Sequence, residues 1–378
     1  MFIQKLSSST FALFISLIIT AFGFLFFNQR FQDAPSLLNT FTYDAQMYLN
    51  MANNIEVPGP HSCRILLPLL AKLLPLEPLQ SIFFINILSF VALFYSLIKM
   101  LESFSIDRKV IIFTLGIFFS TYSVAYNFTN PFLTDLPALA TMIFFINSII
   151  KFQFITSLFW FVSSLLFRET IIVLAPLFLI TFSLKKSISA CVFILLTYTV
   201  PKLVISGDVY CGFNSPISFH VLFDIEFLTK TILSYGVLWF VGILGLTSLK
   251  NYKGHLFKVG CGLLILSLAG SILSSFKSVT DITRMYFLAL PILTLGSAFF
   301  IKKISLQRYS FLYLVALLLA GFLLSTGFFP NILIHGDFNS LKEFARSNIY
   351  ILILGIFIQC TILTIWCKFI FNKFYEKK

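Results

Sequence analysis

Twelve apolar runs, separated by short polar segments, limit what this chain can fold into. Most runs approach the roughly 20 apolar residues that an α-helix needs to cross a bilayer core. The pattern predicts an all-α polytopic transmembrane helix bundle of about 12 spans, forming a single integral-membrane domain over residues 1–378. The runs are Phe11–Phe27, Ser81–Leu101, Val110–Phe128, Ala138–Ile150, Ile155–Phe167, Thr170–Leu184, Ile188–Ser206, Ile232–Leu249, Val259–Ser275, Met285–Ile301, Phe311–Phe329 and Ile349–Phe371.

Charge distribution predicts how the bundle is oriented. A mean hydropathy of +0.94 with only 11% charged residues excludes an ordinary soluble domain. Threading the runs alternately, with the N-terminus inside, puts 17 of the 27 Lys and Arg residues in inner segments, but only 3 of the 15 acids. Cytoplasmic loops favour Lys and Arg, so we expect a multi-pass protein of a bacterial inner membrane with both termini cytoplasmic. The cations form no patch with interleaved aromatics, so no nucleic-acid partner is expected.

The first outer loop, residues 28–80, is predicted to contain two short helices that lie flat at the interface. In Asp44–Ala52, helical spacing brings Tyr48 to the same side as Asp44, as in an interfacial helix. The apolar stretch Ile65–Leu74 is too short to span and carries Lys72. We therefore expect that stretch to lie flat or to re-enter the membrane.

Arg168 and Glu169 are predicted to lie at the apex of a hairpin below the outer surface. Lys151 and Lys185 should both be inside, so the chain between them must enter the bilayer and return. Each arm has only about 15 residues, or about 22 Å of helix, against a core of about 30 Å. Charges at that depth are costly and indicate a functional site. The two side chains could equally form an internal ion pair that holds the apex together.

Two acidic residues on the outer side are candidates for chemistry. Asp44, directly after the first span, could accept a proton from an acceptor hydroxyl as general base. It could instead be an exposed loop residue or a helix cap. Asp135 lies in Asn130-Pro131-Phe132-Leu133-Thr134-Asp135-Leu136-Pro137, where two prolines break the helices. Asp135 could orient a substrate or a metal, or either Thr134 or Asp135 could cap the next helix.

Cations on the outer side are candidates for binding a phosphate. Arg284 stands three residues after Asp281, where an outer loop meets a span, and its planar fork matches phosphate oxygens. It could also be a snorkelling interfacial residue. His61 and Arg64, close to Asp44 in sequence, could bind a phosphate or an acceptor, or anchor the loop. No ligand spacing supports a metal site, although four outer residues could form one in principle: His61, His220, Asp44 and Asp337.

Several of these stretches resemble the GT-C superfamily of polytopic glycosyltransferases, which use lipid-linked sugar donors. Tyr43-Asp44-Ala45-Gln46-Met47-Tyr48-Leu49 and Arg64-Ile65-Leu66-Leu67-Pro68-Leu69-Leu70-Ala71 look like the first outer loop of that group. Thr134-Asp135-Leu136-Pro137-Ala138-Leu139 and Arg168-Glu169-Thr170 are similar to motifs of bacterial GT-C-like membrane proteins. The resemblance covers Met1–Leu184, and beyond it only the topology matches.

The resemblance implies a GT-C-like core over residues 1–184, with an essential Asp44 on the outer face. The remaining spans would fill residues 185–378, with outer loops at 207–231 and 330–348. The implied donor is a polyprenyl-phosphate sugar, and the implied acceptor is a glycan, a lipid or a protein. Ala45 follows Asp44 where many relatives carry a second acid, so the resemblance does not support a divalent metal.

The chemistry of such a reaction agrees with the predicted topology. Nucleotide sugars do not cross the membrane unaided, so an outer-face transferase needs a donor carried on a lipid. It also needs a base and cations for the leaving phosphate, which Asp44 with Arg284, Arg64 or Arg168 could supply. Direct displacement would invert the anomeric carbon. The main alternative, a secondary transporter or a lipid or oligosaccharide flippase, would place ionisable groups near the bilayer midplane. A non-catalytic assembly protein would not require Arg168 and Glu169 at depth.

Overall fold

The computed structural model describes residues 6–27, 43–57, 61–119, 121, 124, 127–128, 131–205, 235, 237–275 and 286–305. These residues form helices with no β-strand among them, which confirms the all-α prediction for this part of the chain. The α-helices are α1 (Ser8–Phe27), α2 (Tyr43–Ala52), α3 (Leu66–Leu73), α4 (Pro78–Ser103), α5 (Arg108–Phe119), α6 (Asp135–Ile150), α7 (Phe154–Phe167), α8 (Leu177–Thr181), α9 (Leu184–Ile205), α10 (Val237–Leu246), α11 (Gly254–Ser275) and α12 (Leu290–Ser305). Short 3-10 helices cover His61–Cys63, Glu169–Leu174, Thr247–Asn251 and Tyr286–Ala289.

Within the described residues, three helices are long and apolar enough to cross a membrane. They are Ser8–Leu25, Pro78–Ser103 and Gly254–Ile272. Shorter apolar helical stretches occur at Asp135–Ile150, Phe154–Phe167 and Glu169–Thr181. The predicted runs Phe311–Phe329 and Ile349–Phe371 lie outside the described residues, and the number of spans stays a prediction.

Large apolar side chains cover the outward faces of the helices. Leu17 of α1, Leu88 of α4, Leu195 of α9 and Ile265 of α11 are all exposed, and Ile155 of α7 is 80% exposed. The surface is therefore compatible with a lipid bilayer as the surrounding medium.

One end of the bundle gathers basic side chains from several helices. Lys99 of α4 pairs with Glu102 at 2.9 Å, and Arg108 of α5 donates to the Leu6 carbonyl oxygen at 2.8 Å. Lys302 of α12 donates to the Ser105 carbonyl oxygen at 3.0 Å. These contacts bring the start of α1 and the ends of α4 and α12 together. We call this the basic end, defined by Lys99, Arg108, His255 and Lys302.

The helix α6 separates the basic end from the opposite end of the bundle. It starts at Asp135, and the carbonyl oxygen of Ile149 near its other end lies 3.0 Å from Nε2 of His255. Its 16 residues correspond to about 24 Å of helix. The helix α7 returns antiparallel to α6, since Ser164 Oγ donates to the Ala138 carbonyl oxygen at 2.8 Å. Neighbouring helices thus run between the same two ends.

The described part of the segment predicted as the first outer loop contains the two predicted short helices. The structure confirms a helix over all of Asp44–Ala52 as α2, and a second within Ile65–Leu74 as α3. The helix α2 buries Tyr48 and Ala52, whereas α3 buries Leu67, Pro68 and Ala71. Both helices contribute to a small apolar cluster that also contains Ile82 of α4 and Phe167 of α7. The loop is therefore packed onto the end of the bundle.

The run Thr170–Leu184 is not one continuous α-helix. A 3-10 helix over Glu169–Leu174 is followed by the five residues of α8. Two features of the sequence account for the break: consecutive β-branched residues, which lower helix propensity, and Pro176, which has no backbone N–H. Arg168 itself is extended, with φ −155° and ψ 119°, and ends α7. The predicted hairpin apex is thus a tight, irregular turn.

Glycines allow α10 and α12 to approach each other closely. A Cβ on Gly242 would lie 2.8 Å from the Leu293 carbonyl oxygen, and one on Gly245 would overlap the backbone of Gly296. The contact is made by backbone atoms, which cannot move aside as a flexible side chain can. A side chain at Gly245 would therefore force the two helices apart.

We expect Gly245→Val to lower the free energy of unfolding by about 1–3 kcal/mol or more, the usual cost of overpacking a closely packed contact. The measurement is SDS titration of the purified protein in detergent micelles. Ile243→Val, on the same helix but exposed, is the matched control and should change stability little. Equal stability of the two variants would contradict the close contact.

Candidate functional site

Six ionisable side chains from separate segments meet at the end of the bundle opposite the basic end. They come from the start of α2, the 3-10 helix His61–Cys63 and the residue after it, the start of α6, and the turn after α7. All six are among the residues that the sequence analysis selects. We call them the charged cluster: Asp44, His61, Arg64, Asp135, Arg168 and Glu169.

Asp44 and His61 form a pair at the more accessible side of the charged cluster. Oδ1 of Asp44 lies 2.9 Å from Nε2 of His61. Because an ionised carboxylate can only accept, the imidazole Nε2–H donates this hydrogen bond. The Asp44 side chain is 19% exposed and that of His61 is 8% exposed. The carboxylate thus lies on the accessible side, with the imidazole buried behind it.

Tyr48 connects this pair to the rest of the charged cluster. Its hydroxyl oxygen accepts hydrogen bonds from Arg64 Nη1 at 2.7 Å and from Thr134 Oγ1 at 3.2 Å. Its ring meets the His61 ring edge-on, with centroids 5.7 Å apart. Tyr48 follows Asp44 by four residues in α2, so both side chains lie on one helix face. One face of α2 therefore holds both ring and carboxylate against His61.

Arg64 and Glu169 form a two-pronged ion pair between the first outer loop and the hairpin apex. Arg64 Nε donates to Glu169 Oε2 at 3.0 Å, and Arg64 Nη2 donates to Oε1 at 2.8 Å. This parallel arrangement is the strongest geometry that an arginine and a carboxylate can adopt. Both side chains are largely buried, so water screens the pair little.

The surroundings of Arg64 keep it positively charged. Burial acts to lower the pKa of Arg64, but the Glu169 carboxylate and the Tyr48 hydroxyl outweigh this effect and raise that pKa well above its ordinary value. The guanidinium is therefore a fixed cation at every accessible pH. Two of its nitrogens, Nε and Nη2, donate to Glu169, and the third, Nη1, donates to Tyr48.

Asp135 forms an ion pair with Arg168 at the start of α6. Both side chains are at least 95% buried, and the Arg168 guanidinium carbon lies 4.8 Å from the centre of the Phe287 ring. Thr134, at the N-cap position, makes no side-chain capping bond and donates to Tyr48 instead. Thr134 is therefore part of the polar network around the charged cluster, and the capping interpretation does not apply to it.

The ion pairs that the structure shows for Arg168 and Glu169 join each of them to another segment, and an internal pair between the two stays a prediction. Arg168 pairs with Asp135 of α6, and Glu169 pairs with Arg64 of the first outer loop. The extended backbone at Arg168 explains the divergence, because successive side chains of an extended chain point to opposite sides. The apex thus links two other segments of the protein.

Asp281 and Arg284 lie outside the described residues, as do His220 and Asp337. The described chain resumes at Tyr286, and Phe287, three residues after Arg284, contacts Arg168 of the charged cluster. Sequence reasoning gave no role to Phe287, nor to the hydroxyl of Tyr48. The spacing of four residues between Asp44 and Tyr48 was the available signal for the tyrosine.

The charged cluster contains three carboxylates and two guanidinium groups. Each arginine is paired with a carboxylate, whereas Asp44 is paired with an imidazole. The total charge is therefore −1 with neutral His61 and zero with protonated His61. Within the described ranges, no group of three or more His, Cys, Asp or Glu side chains is arranged to hold a metal ion.

Comparison of the chain with protein-family models, with curated proteins and with solved structures gives no match.

We expect Glu169→Gln to destabilise the protein by about 3–5 kcal/mol, because the substitution leaves Arg64 as a buried cation without its counter-charge. The unfolding free energy in detergent, measured by SDS titration, tests this. Glu77→Gln serves as the control, since Glu77 is exposed and makes no capping bond at the start of α4. If both variants unfold at the same SDS concentration, the ion pair does not contribute to stability.

Proposed function

We propose that this protein is a GT-C-like membrane glycosyltransferase. In this proposal it moves a sugar from a polyprenyl-phosphate-linked donor to a glycan, lipid or protein acceptor on the extracytoplasmic face. The same proposal includes about 12 membrane spans, as predicted from the sequence, cytoplasmic termini and a location in a bacterial inner membrane. Asp44 is the general base, and the reaction inverts the anomeric carbon.

The observation that carries the proposal is the position of Asp44 in the charged cluster. The positive-inside rule assigns the basic end to the cytoplasm. The charged cluster lies at the opposite end of the bundle. Asp44 is its more accessible carboxylate, whereas Asp135 is 5% exposed and paired with Arg168. An acceptor approaching from the outer side would therefore reach the Asp44 carboxylate first.

The reaction step balances with Asp44 as the only protein group that takes a proton. The acceptor hydroxyl oxygen attacks the anomeric carbon while its proton passes to the Asp44 carboxylate. The bond between the anomeric carbon and the phosphate oxygen breaks, and polyprenyl phosphate leaves with the electron pair. Asp44 then releases the proton to water. No covalent sugar–protein intermediate is needed.

The leaving phosphate requires a cation, and the ion pairs favour Arg284 for that role. Arg64 and Arg168 are each neutralised by a carboxylate, so they contribute little net positive charge to a phosphate. Their fixed geometry supports a role in holding the site in shape. Phe287, close to Arg284 in sequence, rests against Arg168, which ties that part of the chain to the charged cluster.

A transporter or flippase fits the charge distribution less well. Alternating access needs ionisable groups towards the middle of the bundle, reachable from both sides. In α1, α6, α7, α10 and α12, the stretches between the two ends carry no Asp, Glu, Lys or Arg. In these described helices the ionisable groups lie only at helix ends, which suits chemistry confined to one face.

We expect Asp44→Asn to reduce sugar transfer by about 10²–10⁴-fold, the usual contribution of a positioned acid or base, while the protein still folds and inserts. The assay presents a panel of radiolabelled hexosyl undecaprenyl phosphates to the protein in liposomes with cell-envelope acceptors, and counts label in the product.

Asp107→Asn is the matched control, because Asp107 is an exposed acid near the basic end. It should transfer sugar at the wild-type rate. Equal transfer by wild type and Asp44→Asn would remove Asp44 from the mechanism. Movement of a labelled lipid across the liposome membrane, without a new glycosidic bond, would favour the flippase.

A further inference from the structure

The contact between His61 and Asp44 assigns the histidine a role that differs from binding a phosphate or an acceptor. Its Nε2–H already donates to Asp44 Oδ1 at 2.9 Å. The side chain is 92% buried, and the carboxylate lies on the accessible side of the pair. A substrate would therefore meet Asp44 before it met the imidazole.

We propose that His61 is a positioning residue for Asp44: its Nε2–H fixes the carboxylate, which acts as a base only while the imidazole carries no second proton. The inference rests on the proposed transferase function for its consequence in turnover. The hydrogen bond on which it depends is independent of that function.

The orientation of the imidazole is itself fixed by neighbouring groups. The Tyr48 ring packs edge-on against it, and the Tyr48 hydroxyl is held by Arg64 and Thr134. Arg64 is held in turn by both oxygens of Glu169. Small displacements of a reacting group can cost about 10²-fold in rate, so such a chain of contacts matters for a base.

The charge on the imidazole decides whether Asp44 is basic. A neutral imidazole orients the carboxylate through one hydrogen bond, whereas an imidazolium adds a full positive charge 2.9 Å away. That charge stabilises the anionic carboxylate and weakens it as a base. In the proposed reaction, the active form of the pair is therefore the one with a neutral imidazole and an ionised Asp44 carboxylate.

The elements that pack around the pair carry further charged and titratable groups. Arg64 and Glu169 reach His61 through Tyr48, and their opposite charges offset each other. The 3-10 helix His61–Cys63 also packs against α9, which carries Tyr198 and Lys202, and α2 packs against α3, where the exposed Lys72 bonds Asn54. Asp44 is the carboxylate in direct contact with the imidazole.

The first test measures the pair without turnover. The chain has four histidines, so the protein labelled with ¹⁵N-histidine in micelles gives few imidazole signals, and His61→Gln identifies the one from His61. We expect a Nε2–H proton resonance from His61 that exchanges slowly with water in the wild type and is lost in Asp44→Ala. If the His61 Nε2–H proton exchanged with water as fast in the wild type as in Asp44→Ala, the inference would be overturned. This result would hold whether or not the protein transfers sugar.

The second test is the pH dependence of sugar transfer by wild type, His61→Gln and His61→Leu. Glutamine keeps an N–H donor but cannot take a second proton, and unperturbed carboxyl groups titrate lower (about 3.9) than imidazole (about 6.5). His61→Gln should therefore stay within about tenfold of the wild-type maximum, with its acidic limb moved to lower pH by at least about one unit. His61→Leu should lose about 10²-fold at all pH values.

These outcomes separate the inference from the proposed function. An unchanged acidic limb in an active His61→Gln variant overturns the positioning role and leaves the transferase intact. Absence of transfer by the wild type from every donor overturns the transferase, and the exchange of the Nε2–H resonance then decides whether His61 positions Asp44. A purely structural histidine would lower the rate in both variants without moving the limb.

Discussion

Arg64 and Glu169, which are 105 residues apart in the chain, hold the first outer loop on the hairpin apex. The ion pair uses both carboxylate oxygens, and a third nitrogen of the guanidinium is bonded to Tyr48. Two charges at a largely buried position are tolerated only when they are paired and hydrogen-bonded. The position of Asp44 depends on this ion pair, because Arg64 also donates to Tyr48, and Tyr48 lies on the α2 face that carries Asp44.

The apex turn extends the same network to α6. Because the backbone is extended at Arg168, that side chain points away from Glu169 and reaches Asp135. One two-residue turn therefore joins the first outer loop on one side and the start of α6 on the other. The sequence predicts this turn at membrane depth, where irregular backbone is tolerated if it is buried in protein, and Arg168 is 1% exposed.

The charge balance of the cluster narrows the chemistry that the site can perform. Two arginines near a candidate base would suggest a strong anion site, but both are neutralised by carboxylates. These two cations are therefore poorly suited to binding several negative charges. The arrangement fits the acceptance of one proton by the Asp44 carboxylate better. A donor phosphate would draw on a cation from elsewhere, for which Arg284 is our proposal.

Several features of this protein follow from the sequence alone. Apolar runs of near-spanning length specify helices with lipid-compatible surfaces, because the pattern is local and each helix satisfies its own backbone hydrogen bonds. The helix around Asp44, the hairpin apex, and the burial of Arg168 and Glu169 were predicted on the same grounds. The number of spans and the roles of the site residues remain predictions.

Only the tertiary structure decided which charged groups meet. Sequence reasoning considered Arg168 with Glu169, and left Arg64 to a phosphate, an acceptor or an anchoring role. The structure pairs Arg168 with Asp135 and Arg64 with Glu169. The structure also places His61 against Asp44, and puts Tyr48 between this pair and Arg64. The physical reason is that helix propensity and hydropathy act over a few neighbouring residues. Ion pairs between distant segments depend on how helices pack, and on the extended backbone at one turn residue.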